Sequence, residues 1–154
     1  MIEIIHTVEA DAIDIARALF REYQEALGVD LSFQGFETEV ATLPGEYAHP
    51  RGRLLLARDD GAVAGCIAMR PLTGETCEMK RLYVRPQYRA AGVGRQLVEH
   101  LIAEARSLGY RQMYLDTLPT MTGAQRLYES LGFKDIPAYR HNPIVGTRFL
   151  GLAL

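Results

Sequence analysis

The chain has only two cysteines, Cys66 and Cys77, and neither sits in a C-x-x-C pair or at a Cys/His ligand spacing. That excludes a disulfide scaffold and a zinc site, and leaves two free thiols in a reducing cytoplasm as the simple reading. No stretch approaches the ~20 consecutive apolar residues that a membrane helix needs. The first residues, MIEIIHTVEAD, carry acids where a signal peptide needs a basic start and a long apolar run, so a soluble, cytoplasmic protein is expected. Charge of one sign is missing too: the net charge is -2. Nucleic acid and anionic membrane are therefore not expected partners, and any phosphate binding must be local. His49, His100 and His141 share no ligand spacing, so no metal is expected.

What is present fits one globular domain over residues 1–154, with 48% hydrophobic and 23% charged residues and no repeat or linker. Ile2 to Val8 reads as a strand. Asp11 can cap the following helix, in which Ala12, Ala16, Leu19, Phe20, Tyr23 and Leu27 recur at helical spacing until Gly28. A weaker helix falls within Phe33 to Leu43, closed by Pro44-Gly45, with Glu37 and Glu39 as solvated surface. Pro44 to Arg53 has no period and reads as a loop, suited to a substrate entrance. Leu54 to Arg58, a hairpin at Asp59-Asp60-Gly61, Val63 to Met69, a turn at Pro71 to Gly74 and Glu75 to Val84 form an antiparallel meander.

The run Leu82 to Val84 is stopped by Pro86, and two glycines, Gly92 and Gly94, then open a long helix. Its Val93, Leu97, Val98, Leu101, Ile102, Ala105 and Leu108 share a face, and Gly109 ends it. A helix N-terminus offers unpaired N–H groups and partial positive charge to an anion, and glycine lets a ligand approach the backbone. Arg89 adds a charged donor beside it. Alone, R-x-x-G-x-G is a weak signal. Met113 to Thr117 is the next strand, parallel to the one ending at Val84 because a helical crossover joins them. A short helix carries Ala124, Leu127, Tyr128 and Leu131, with Thr122 and Gln125 as a capping box, and stops at Gly132. After breaks at Ile136-Pro137 and Asn142-Pro143, Gly146 to Leu154 reads as the last strand. The fold class is α/β: one mixed sheet with helices on both faces.

Taken in order, Glu78-x-x-x-Leu82-x-Val84, then Arg89-x-x-Gly92-x-Gly94, then a strand, then Ala124-x-x-Leu127-Tyr128-x-x-Leu131-Gly132-Phe133, the sequence resembles the GNAT-type N-acetyltransferase superfamily. The match runs from Glu78 to Phe133, roughly a third of the chain. The resemblance implies a twisted sheet of about six to seven strands, mostly antiparallel with a parallel splayed pair. It also implies acetyl-CoA as donor, with no metal. The pyrophosphate would lie on the loop Arg89, Ala90, Ala91, Gly92, Val93, Gly94 and Arg95, and the pantetheine arm along Leu82, Tyr83 and Val84. Relatives often carry an asparagine where this chain has Met121, and are often homodimers.

Acetyl transfer needs a neutral amine, and an alkyl ammonium is neutral only about one part in 10³ at pH 7, a cost of roughly 4 kcal/mol. The resemblance makes Glu78 the base, its pKa raised toward neutrality by desolvation. The plain alternative is a strand glutamate facing solvent or paired with Lys80 or Arg81. Tyr128 takes the place of the family's tyrosine acid for the departing thiolate, or is a core aromatic of its helix. Asp116 and Thr117, at a strand end, can contact acceptor or cofactor. The acceptor itself, a small-molecule or protein amine, is not encoded in any motif. An acyl-CoA-binding sensor without turnover is the other reading; a dinucleotide fold is disfavoured because Leu97 holds the third glycine position.

Overall fold

The computed structural model describes residues 1–154. Strands β1 (Ile2–His6), β2 (Arg53–Asp59), β3 (Ala62–Thr73), β4 (Thr76–Val84), β5 (Gln112–Thr117), β6 (Lys134–Asp135) and β7 (Arg148–Ala153) form one sheet in the order β1-β2-β3-β4-β5-β7-β6. All neighbouring pairs are antiparallel except β4 with β5.

Alternation along the central strands builds two cores. Leu54, Leu56, Cys66 and Ala68 face α1 (Ala10–Leu27) and α2 (Phe36–Ala41), where Leu19, Phe20, Phe36 and Val40 are fully buried. Leu55, Ala57, Ile67 and Met69 face the other way, onto α3 (Val93–Ser107) and α4 (Thr122–Ser130). Each fully buried Leu or Phe contributes about 1.5–3 kcal/mol of transfer free energy, so both faces are needed to offset chain entropy. Cys66 and Cys77 are buried, and burial pushes both thiols up to about 12. They are inert packing groups.

Several local expectations are corrected. Asp11 lies in the first turn of α1 rather than capping it; Glu9 holds the cap position with no side-chain bond. The second helix is only Phe36–Ala41, preceded by a 3-10 turn at Ser32–Gln34. Glu39 is not solvated, as described below. β3 runs straight through Pro71 to Thr73, so the turn falls at Gly74-Glu75. Thr122 and Gln125 form no capping box: Met121 is the cap residue, without a side-chain bond, and the Gln125 amide donates to the Leu118 carbonyl at 2.8 Å.

Two irregularities in β4 position the site. First, its pairing with β5 covers only Thr76↔Gln112, Cys77↔Met113 and Glu78↔Tyr114. Beyond Glu78, β4 stays with β3 while β5 leaves with β7, to which Leu115, Asp116 and Thr117 pair. The sheet therefore opens into a V. Second, Cys66 faces Tyr83 but Ala68 faces Lys80, so Ile67 alone opposes two residues, Arg81 and Leu82. This β-bulge inverts the side-chain faces. Cys77 and Met79 pack on the α3 side before it; Leu82 and Val84 do so after it, and Tyr83 turns to the α1 side.

Arg81 is the bulged residue, at φ +62, a conformation that costs a non-glycine residue about 1–2 kcal/mol. Its guanidinium is held by Glu39 through two bonds, Nε to Oε2 at 2.8 Å and Nη2 to Oε1 at 2.9 Å. The rings of Phe36 and Tyr23 flank it at 5.1 and 5.6 Å. Burial raises the Glu39 pKa, but the Arg81 hydrogen bonds and charge outweigh it and the carboxyl titrates below its ordinary 4.5.

Glu39→Ala leaves a buried cation unpaired, and a loss of about 3 kcal/mol in urea unfolding is expected at neutral pH. Because the folded pKa is depressed, this contribution is complete above 4.5 and is lost as pH falls through the folded value. Urea midpoints of the wild type and Glu39→Ala should therefore converge in acid.

Candidate functional site

The V between β4 and β5 continues into a groove of about 790 Å³. Leu82, Tyr83 and Val84 form one wall, Ala124 and Leu127 of α4 another, and Tyr23, Ala26 and Leu27 of α1 a third. Gly92, Gly94, Arg89 and Arg95 close its outer end. Beyond Glu78 no strand pairs with the β5-facing edge of β4, so an extended ligand can use its backbone groups.

At the outer end, Pro86–Ala91 form a 3-10 turn and Gly92, at φ +76, reverses the chain into α3. No side chain caps α3, so its first-turn N–H groups are free for an anion. Gly94 lies at the groove floor: a Cβ there would sit 3.5 Å from Leu127 Cδ2 and occupy space next to the helix start.

Of the sequence-assigned cofactor residues, Leu82, Tyr83, Val84, Arg89, Gly92, Gly94 and Arg95 line this groove. Ala90 and Ala91 are exposed in the turn and do not line it, and the Val93 side chain is fully buried in the core, so only its backbone faces the loop. Arg89 is oriented by its Nε, which donates to the Val84 carbonyl at 2.9 Å and leaves the Nη groups without a partner. Arg95 is braced by Ser130 Oγ at 2.7 Å and Glu99 at 3.3 Å. Both bring positive charge to the same end.

The groove leads inward to a second, narrow pocket of about 30 Å³, and Tyr23, Leu27, Leu82 and Met121 line both spaces. Met121 thus stands at the junction rather than out of contact. Tyr128 lines the inner pocket and is 4% exposed. Burial, then the nearby Tyr23 and Asp116 charges, push its phenol well above 10, and no intramolecular hydrogen bond contributes. It is a protonated donor without a partner. Around it stand Lys80, Arg81, Gln34, Asp116 and Asn142, and the Asn142 amide donates to Asp116 Oδ2 at 3.3 Å. Thr117 is buried with its hydroxyl unpaired and lines neither space.

Glu78 is placed differently from the sequence expectation. It is fully buried at the apex of the V and lines neither space. Arg70 Nε donates to Oε1 at 2.9 Å, while the Tyr139 hydroxyl and Arg140 Nη2 reach Oε2 at 2.6 and 2.5 Å. Burial raises its pKa, but Lys80, Tyr139, Arg140 and Arg70 outweigh that, and the carboxyl sits below its ordinary value. A raised pKa is therefore overturned: the desolvation is real, but three cations and a phenol compensate it. The partners are Arg70, Tyr139 and Arg140, rather than Lys80 or Arg81. Glu78 ties the segment before β7 to the point where the strands part.

Sequence reasoning missed Tyr23 and Leu27, whose helical spacing marked them simply as core, Ala26, which carried no signal, and Lys80, which looked like a strand cation. Pro44 to Arg53 contributes no lining residue; Glu46 there pairs with Arg70 instead. A histidine cluster also forms away from both spaces. His6, His100 and Glu104 place their ligand atoms within 4.8 Å of one another, although Glu104 is already 2.5 Å from His6 Nε2 and 3.7 Å from Arg53 Nε.

Comparison with known proteins agrees with this geometry. An uncharacterized N-acetyltransferase of Schizosaccharomyces pombe is 43% identical over 144 residues, covering 92% of this chain and 88% of the relative. A GNAT-family acetyltransferase structure from Staphylococcus aureus Mu50 superposes with a TM-score of 0.82 at 20% identity over 99% of both chains. A GNAT family acetyltransferase from Elizabethkingia anophelis with acetyl-CoA bound gives a TM-score of 0.58 at 25% identity, over 67% of this chain and 76% of that one. The model of the acetyltransferase (GNAT) family matches residues 13–133. A strand that parts from its neighbour, an uncapped helix beyond it and the ordered motifs from Glu78 to Phe133 therefore have one explanation: the chain belongs to the GNAT acetyltransferase family and is an acyltransferase.

Proposed function

We propose that this protein moves an acetyl group from acetyl-CoA directly to a primary amine, with Tyr128 as the acid and Asp116 as the carboxylate that receives the amine. The observation that carries the reading is the continuity of the two spaces. The large groove and the narrow pocket share Tyr23, Leu27, Leu82 and Met121 as walls, and the free phenol of Tyr128 lines the narrow pocket just beyond that junction. When bound, acetyl-CoA supplies an activated thioester carbonyl.

The residues of the chain then divide the work. The free N–H groups at the start of α3, with Arg89 and Arg95, hold the diphosphate, because helix polarity and both guanidinium groups favour negative charge there. The open edge of Leu82 to Val84 receives an extended arm by strand addition. Tyr23, Leu27, Leu82 and Met121 surround the junction with largely apolar surface and exclude water. Asp116 attracts the acceptor ammonium, takes its proton and leaves a neutral nitrogen facing the thioester carbon. As the N–C bond forms and the C–S bond breaks, Tyr128 donates its hydroxyl proton to the departing sulfur. The proton taken by Asp116 passes to solvent, and the second proton, lost from nitrogen once the N–C bond has formed, returns to the phenolate, so the products are the acetylated amine, the CoA thiol and one proton. Glu78 stays ionised throughout and positions the walls.

Removing the phenol should lower turnover without weakening the donor. For Tyr128→Phe, kcat is expected to fall about 10²-fold with the acetyl-CoA dissociation constant within twofold of wild type; full retained activity would remove the assignment. The two carboxylates should separate in kinetics and stability. Asp116→Asn is expected to lower kcat/KM by about 10²-fold with little change in thermal stability. Glu78→Gln should keep most of kcat/KM while lowering thermal stability, since Arg70 and Arg140 lose their buried partner. Activity abolished in a folded Glu78→Gln and untouched by Asp116→Asn would return the base role to Glu78.

A further inference from the structure

The inner pocket is lined by a cation that no carboxylate of the protein contacts directly, Glu78 acting on it only through space. Lys80 lines it and is 7% exposed, yet no carboxylate lies within ion-pairing distance of its ammonium. Its hydrogen bond is to the neutral Gln34 Oε1, at 3.1 Å. The surrounding charged groups are otherwise satisfied by one another. Arg81, the other cation lining the pocket, is taken by Glu39; Arg70 and Arg140 are taken by Glu78. Burial, then the charge of Arg81, lowers the Lys80 pKa to about 8, even with Glu78 acting the other way. An ammonium that is desolvated, bonded to one neutral acceptor and compensated by Glu78 only through space is further stabilised when an anion enters the pocket.

Asp116 is the complementary feature of the same pocket. It is a carboxylate whose side-chain contact is a long hydrogen bond from Asn142, with no cation paired to it. The pocket thus presents one positive and one negative group without direct ion-pair partners, and the Tyr128 phenol lines the same pocket. Leu31 and Leu118 make the remaining walls apolar.

We propose that the acceptor is a small amino acid, an amine that carries its own carboxylate, with Lys80 binding the carboxylate and Asp116 the ammonium. This rests on the acetyltransferase reading above and goes beyond it by separating acceptor classes. A lysine side chain or the N-terminus of a protein has an amide where this acceptor has a carboxylate, and would leave Lys80 buried against a neutral group. A simple amine or polyamine would add a second positive charge beside it. At about 30 Å³ the pocket excludes a folded acceptor, and even a small amino acid must displace side chains at the junction to reach Lys80 and Asp116.

The test uses the full chain with acetyl-CoA, following thiol release with the common L-amino acids, each compared with its methyl ester and its decarboxylated amine. Expected is a best acceptor that is a free amino acid, with kcat/KM at least tenfold above its ester and its amine. In Lys80→Met, and in Lys80→Gln should the first variant fold poorly, the KM for that amino acid should rise at least tenfold with KM for acetyl-CoA unchanged, and the preference over the ester should vanish. Esters or amines used as well as the amino acid by the wild type would overturn the proposal while leaving the transferase reading intact. So would a preference that survives in a folded Lys80 variant. Release of no thiol with any amine would instead overturn the transferase reading, and the acceptor assignment with it.

Discussion

The structure depends on an unpaired stretch of backbone in the middle of a sheet. A central strand ordinarily satisfies its N–H and C=O groups on both sides, and leaving one side open costs free energy unless water or a ligand takes it. β4 has β3 on one side along its length but β5 only as far as Glu78. The V is held open by what is packed around it: β5 is drawn off by β7, α4 fills one flank and α1 another. An extended ligand that adds itself as a strand completes the hydrogen bonding, so binding and the fold's main irregularity are one feature.

Buried charge maintains this irregularity. Glu78 at the apex gathers Arg70, Tyr139 and Arg140 and anchors the segment before β7, whereas Glu39 fixes Arg81 in its positive-φ bulge. Neither cluster gains much against an apolar replacement, because desolvation offsets attraction. What they supply is geometry: the bulge shifts the face on which Leu82, Tyr83 and Val84 stand and thereby shapes the groove wall. Lys80 lies between these two satisfied clusters without a carboxylate of its own, which sets it apart from every other cation at the apex.

Much of the outline was legible from the sequence. Strand and helix order, the parallel crossover and the glycine-opened helix all follow from short-range patterns such as period-two runs, 3.6 spacing and Gly punctuation. The loop from Arg89 to Arg95 could be read as an anion site because its chemistry is mostly backbone, which depends on local conformation. Glu39 and Glu78 were not legible. Their partners lie on other elements: Arg81 is far along the chain from Glu39, and Tyr139 and Arg140 fall in an irregular segment without a pattern. The charge state of an acid is set by such partners, so the raised pKa expected for a glutamate at this motif position gives way to a lowered one once the fold gathers cations around it.

The sequence by itself determined the architecture, since hydrophobic periodicity and glycine placement act over a few residues and survive without knowledge of the whole. Tertiary structure alone decided which carboxylate is free and which is locked, that Tyr128 keeps an unpartnered phenol, and that Lys80 is buried without a direct ion pair. These are properties of the electrostatic environment. They arise only when β4, β5, α1, α2 and the segment before β7 come together, because desolvation and long-range pairing belong to the assembled molecule and to no stretch of it.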